Sequence, residues 1–157
     1  MRKASREKSE EWALDVFDKA PYITVGMIRP DGTPYAVPLS LARKDNRIFY
    51  FHCAFDGEKI DCIRHNSTVS LSAVSRCHPE YEAHTNNFTE HYNSAMALGT
   101  AETVTDREEK IEGLRLICRR FLPGQMEHFD EAVDRSLDRT NVIRITLTEP
   151  AVGKSKT

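Results

Sequence analysis

The sequence predicts a small, mainly β protein: an antiparallel barrel of six short strands with helices covering its ends. Three observations carry this. Six separate runs join β-branched and aromatic residues at strand length, and turn-rich segments of the hairpin type follow most of them. The strands do not alternate regularly with helices, and no G-x-G-x-x-G follows a strand, which disfavours a doubly wound parallel sheet.

Ser9 followed by Glu10 and Glu11 has the form of a helix start, and Trp12, Ala13, Val16, Phe17 and Ala20 then share one face up to Pro21. Tyr22–Met27 and Tyr35–Leu41 read as two strands of a hairpin, joined by the turn residues Pro30, Asp31, Gly32, Thr33 and Pro34. Pro38 removes a ladder donor, so its strand is either an edge or bulged there, and an irregular backbone beside Ser40 suits a ligand contact. Asp45 and Asn46 turn the chain into Ile48–Phe51, for which a three-stranded antiparallel meander is the simplest topology. Asp56-Gly57 ends that strand, and a helix follows over Gly57–His65.

Thr68–Val74 alternates apolar and polar residues as a half-exposed fourth strand, and Ser94–Val104 is the fifth, with Gly99 marking a bulge or a close backbone approach. Thr105-Asp106-Arg107-Glu108 has the form of a capping box. Behind it Ile111, Leu114, Ile117, Cys118 and Phe121 make an amphipathic helix that stops before Pro123-Gly124. A shorter helix spans Met126–Leu137. Asn141–Leu147 is the sixth strand, ahead of Pro150 and a basic tail at Gly153–Lys156. One domain over residues 1–157 is expected, with residues 1–20 forming the N-terminal helix and residues 105–138 a helical segment before the last strand.

The 157 residues are 39% apolar and 29% charged, enough to bury one core, and the net charge of −2 supplies no cationic excess for nucleic acid or an anionic membrane. The first residues are charged, lack an apolar leader segment, and no run of eighteen apolar residues appears, so a cytoplasmic location is expected. Cys53, Cys62, Cys77 and Cys118 form no C-x-x-C pair; they read as free thiols, with Cys53 the one placed to react. No G-x-S-x-G marks a serine hydrolase.

Chemistry gathers where the Ile48–Phe51 strand gives way to the following helix. His52, Cys53, Asp56, Glu58 and Lys59 lie there, and first-turn N–H groups with the Lys59 ammonium can hold a phosphate. The alternative is Asp56 capping the helix and Lys59 solvated. His52 ends the apolar strand directly before this turn, as either a proton-transferring group or a structural histidine bonded to a carbonyl. Between Arg76 and Asn93, Cys77, His78, His84 and His91 with three glutamates form either a transition-metal inventory or a solvated polar loop.

The segments DGTPYAVPLS, IFYFHCAFDGEKIDCIRHN and NNFTEHYNSAMALGTAE, in that order, resemble the pyridoxamine 5'-phosphate oxidase-like FMN-binding split barrels, in particular the branch of nitroimidazole-resistance proteins. The resemblance covers roughly Ala20 to Lys154. It implies a six-stranded split β-barrel that binds FMN in clefts between the two subunits of a homodimer. Pro38, Leu39 and Ser40 match the segment bordering the flavin ring, and His52, Cys53 and Ala54 the strand end near ring and phosphate. Lys59 matches the phosphate-binding lysine, and Ser94 a position that reaches the phosphate. The implied activity is an FMN-dependent oxidoreductase that passes electrons from NAD(P)H to a small aromatic or nitro-bearing acceptor, with His52 as the catalytic residue and no metal. A non-catalytic flavin- or haem-binding module is the alternative. The chain ends in AVGKSKT, without the arginine and histidine motif of the pyridoxamine phosphate oxidases proper, so oxidation of vitamin B6 is not expected.

Overall fold

A computed structural model describes residues 4–156. In chain order its main elements are β1 (Glu7–Lys8), α1 (Glu10–Lys19), β2 (Ile23–Ile28), β3 (Pro34–Leu39), β4 (Ala42–Arg43), β5 (Ile48–Cys53) and α2 (Glu58–His65). They continue with β6 (Thr68–Glu82), β7 (Asn87–Thr103), α3 (Arg107–Phe121), α4 (Phe129–Ser136), β8 (Asn141–Leu147) and β9 (Val152–Lys156).

Local chemistry sets several of these boundaries. Ser9 Oγ accepts from the Trp12 N–H at 3.2 Å, and α1 ends at Lys19, two residues before Pro21. The β2–β3 turn is tied by Asp31 Oδ1, which accepts from the Thr33 N–H at 2.9 Å and its hydroxyl at 2.7 Å, while Gly32 takes a φ of +83°. Asp106, not Thr105, caps α3 by accepting from the Glu109 N–H at 2.8 Å. The helix expected over Met126–Leu137 is instead a 3₁₀ turn over Pro123–His128 followed by α4.

The strands form one sheet in the order β3-β2-β6-β7-β8-β5-β4, with β9 pairing β7 and β1, and all pairs are antiparallel. Nine strands replace the expected six. β3 is an edge strand, one of the two arrangements that Pro38 allows. The expected meander does not form: β5 lies away from β3, between β8 and β4, with Phe49 opposite Ile145 and Phe51 opposite Ile143. Its Phe49, Tyr50 and Phe51 are buried to 1% exposure or less, so both faces of β5 need covering and an edge neighbour could not supply that.

Two stretches read as irregular are strands. β6 and β7 stay paired past a bulge at Val74–Arg76 as far as Glu82 opposite Asn87, so residues 76–93 form a long hairpin arm, not a loop. Its turn closes with Asn86 at φ +49°. The tail is β9, with Lys154 opposite Ser94 and Gly153 opposite Ala95.

Burial divides on the sheet. One core, including Phe17, Phe51, Leu71 and Ile143, fills the inside; α1 packs there, with Phe17 edge-on to Phe49 at 5.5 Å. The other side carries α3 and α4 on Tyr50 and Val142, through Leu114, Ile117, Phe129 and Val133. Arg120 of α3 ties the layers together: its guanidinium donates to the carbonyls of Phe17 at 2.6 Å and Ala20 at 2.8 Å, at the end of α1, and to that of Leu41.

Candidate functional site

The pleat of β5 decides where the sequence-selected residues point. Phe49 and Phe51 enter the inner core and Cys53 packs against it, whereas Ile48 and Tyr50 face the helical layer. His52 shares the parity of Ile48 and Tyr50, so its ring lines a cavity under α3 and α4, on the opposite face from Cys53. Tyr50 anchors that face: its hydroxyl donates to Glu109 Oε1 at 2.9 Å, and Arg144 clasps the same carboxylate at 2.7 and 2.9 Å.

The start of α2 lies beyond the end of β5. Its N-cap is Gly57, at φ +124°, with no side-chain cap; Asp56 does not cap the helix. Ile60 and Asp61 donate to the Gly57 carbonyl, and the N–H groups of Glu58 and Lys59 have no partner within the helix. The Glu58 carboxylate turns aside to Arg29 Nε at 2.5 Å, and the Arg29 guanidinium stacks over Tyr35 at 4.9 Å. Lys59 makes no salt bridge among the described residues. Its charge lowers the Cys53 thiol, against the larger effect of burial, which raises it. Cys53 is therefore not activated as expected, and Cys62, Cys77 and Cys118 are raised as well: Cys62 and Cys118 first by burial, Cys77 first by donating to Glu90. An uncapped helix start with an unpaired lysine can hold a phosphate or carboxylate.

Cys53, Ala54 and Lys59 thus lie around the β5–α2 junction, with Ala54 exposed. Pro38 and Ser94 lie elsewhere, on the outer face of the sheet. Pro38 is opposite Thr24, Thr24 opposite Ser72 and Ser72 opposite Met96, two residues from Ser94, whose hydroxyl lies 3.4 Å from the Lys154 carbonyl. Leu39 packs against the inner core and Ser40 is exposed at the end of β3. The chain by itself does not gather these positions into one pocket. Along the β6–β7 arm, His91 Nε2 bonds Glu80 Oε2 at 3.0 Å, and among the described residues no three His, Cys, Asp or Glu side chains come together as a metal site.

Two residues at these places escaped sequence reasoning. Arg29 is recognisable only once β2 is seen to end beside α2. Asn141 is 2% exposed opposite Cys53, with its Oδ1 lacking a donor, and only the β5–β8 register reveals it.

The architecture and the β5–α2 junction define an antiparallel split barrel with an anion-ready helix start. The family model described as pyridoxamine 5'-phosphate oxidase matches residues 9–153, and the chain belongs to that family. A search of curated proteins finds no match. Among solved structures, the chain is similar to one named provisionally as a 5-nitroimidazole antibiotic resistance protein from Bacteroides thetaiotaomicron, at 23% identity and a TM-score of 0.79, covering 95% of this chain and 88% of that one. The flavocytochrome Anf3 from Azotobacter vinelandii matches at 23% identity and 0.81, covering 100% and 72%. The FAD and haem binding protein from Mycobacterium smegmatis matches at 19% and 0.80, covering 96% and 73%. At these identities the likeness establishes the fold. No helix among the described residues is long and apolar enough to cross a membrane.

Proposed function

We propose that the protein is an FMN-dependent oxidoreductase of the cytoplasm that takes electrons from NAD(P)H and passes them to a small aromatic or nitro-bearing acceptor. The observation that carries this reading is the start of α2, where two unpaired backbone N–H groups and an unpaired lysine converge without a capping side chain. Membership of the pyridoxamine 5'-phosphate oxidase family supports it. The residues fit the group. Lys59 and the α2 N–H groups take the phosphate, the backbone of Pro38, Leu39 and Ser40 and the strand end at Cys53 and Ala54 border the ring, and Ser94 comes from a second copy. When bound, FMN supplies the hydride and electron chemistry. The protein's own part is to hold the phosphate and to offer the His52 imidazole to the acceptor as proton donor or positioner.

A homodimer belongs to the same reading. The outer sheet face leaves Val74, Met96 and Leu98 between 43% and 48% exposed, beside Pro38 and Ser94, and a second copy covering it completes a cleft that one chain leaves divided. The test is the visible spectrum of the purified protein, with the released flavin identified by chromatography, followed by anaerobic addition of NADH and NADPH. The proposal expects FMN and bleaching of its band. Two of the similar structures are named for haem, which favours a second reading as a flavin- or haem-binding module without turnover. A Soret band, FAD in place of FMN, or a flavin that neither nucleotide reduces decides for that reading or against the first.

A further inference from the structure

Sequence patterning gives α3 and α4 apolar stripes. Leu114, Ile117 and Cys118 recur at helical spacing on α3, as do Phe129, Ala132, Val133 and Ser136 on α4. Two such stripes normally close on each other, since protein interiors are packed with few voids larger than a water molecule. Here they close only in part: Leu114, Ile117, Phe129 and Val133 share one buried cluster, and beside it a half-open cavity of about 340 Å³ remains, lined also by His52, Thr140 and Leu122, which is 60% exposed. Apolar cavities of about 150 Å³ stay dry and take up benzene, so this one has room for a larger ring system.

The charge of the lining decides what kind of molecule fits. In a chain with 29% charged residues, no Asp, Glu, Lys or Arg lines the cavity. A phosphate, a nicotinamide nucleotide or a propionate-bearing tetrapyrrole would find no Lys or Arg in the lining to pair its anion. The polar groups present are hydrogen-bonding ones, with the His52 imidazole on the sheet side and His128 and Gln125 on the helical side. The two facing helical stripes favour a flat guest.

We propose that this cavity is a binding site for a neutral, planar aromatic molecule, held between α3 and α4 and hydrogen-bonded by His52. The site shares His52 with the proposed oxidoreductase and rests on that reading for the aromatic acceptor, but its lining includes neither Lys59 nor Cys53, so binding of an aromatic molecule can fail or succeed separately from binding of FMN.

The test uses the full chain with 2-naphthol at neutral pH, followed by titration calorimetry and by the NMR signals of the His52 ring. Naphthalene-2-sulfonate, the same ring system carrying an anion, is the comparison. Expected are one site for naphthol, movement of the His52 ring signals on binding, and sulfonate affinity lower by at least on the order of tenfold. Ala132→Trp fills the space from α4 and should weaken naphthol by a similar factor. Ser136→Phe serves the same purpose should the first variant fail to fold, as judged by circular dichroism. Loss in the filled variant with moving His52 signals supports the site, whether or not flavin is bound. No naphthol binding, equal affinity for the sulfonate, still His52 signals, or undiminished binding in a folded filled variant overturns it.

Discussion

Lys59 lies in the uncapped first turn of α2, so in the proposed FMN site alanine there would remove a charge-assisted contact worth about 1.5–3 kcal/mol. FMN affinity of Lys59→Ala should fall on the order of tenfold to a hundredfold, read by fluorescence titration of the apoprotein. Unchanged affinity removes Lys59 from the site. His52→Ala should keep FMN while turnover of a nitro-aromatic acceptor falls roughly tenfold to a thousandfold, the usual scale of general acid–base help. Full turnover at saturating FMN ends the catalytic role. Tyr50 sets a third expectation. Burial first, then its hydrogen bond to Glu109, raises its phenol above the ordinary range, and burial raises the Cys62 thiol. Groups raised in the folded state add stability that is present at lower pH and lost as the unfolded chain deprotonates first, here above about pH 9–10. Urea midpoints should decline through that window, and less steeply in Tyr50→Phe; equal slopes assign the loss elsewhere.

Among the elements, legibility followed local chemistry. The Asp31-Gly32 turn, the Ser9 cap and the Asn141–Leu147 strand were all readable, because each is specified by residues within a few positions of itself. The β6–β7 arm was not: between Arg76 and Asn93 every side chain is exposed or half-buried, so no apolar run marks a strand that backbone pairing nevertheless sustains. β9 hid for a related reason, since Val152–Lys156 has one large apolar residue and owes its form to β7 and β1. The orientation of His52 was lost because IFYF is apolar on both faces and gives no parity signal. β9 also yields a prediction. A Cβ at Gly153 would lie 2.5 Å from Trp12 Cε3 and 3.1 Å from Lys8 Cβ, so Gly153→Ala should cost about 1–3 kcal/mol by overpacking, measured by chemical denaturation. A neutral substitution there would mean that α1 yields easily from the sheet.

For the molecule as a whole, the inner face of the sheet is filled by its own core, whereas the outer face is covered by α3 and α4 over β5 and β8 and left open over β6 and β7. Val74, Met96 and Leu98 continue towards the arm, where Tyr81 and Phe88 pack together at 4.9 Å, with Phe88 84% exposed. The homodimer reading predicts that dilution releases subunits and flavin together, followed by light scattering and flavin fluorescence in parallel. A monomer that retains one FMN per chain contradicts it. Which residues a second copy would cover was out of reach of the sequence, since exposed apolar residues carry no mark of what covers them.

Trp12 is the one tryptophan in the chain, and it rests on Gly153 while β1, just before it, pairs with β9. Contacts between segments so far apart along the chain form against the largest loop-closure entropy, whereas the β6–β7 arm closes across a four-residue turn. The emission of this indole is therefore expected to act as a clock for a late stage of folding, lagging behind hairpin formation in stopped-flow refolding; emission that changes together with the first strand signal would contradict that order.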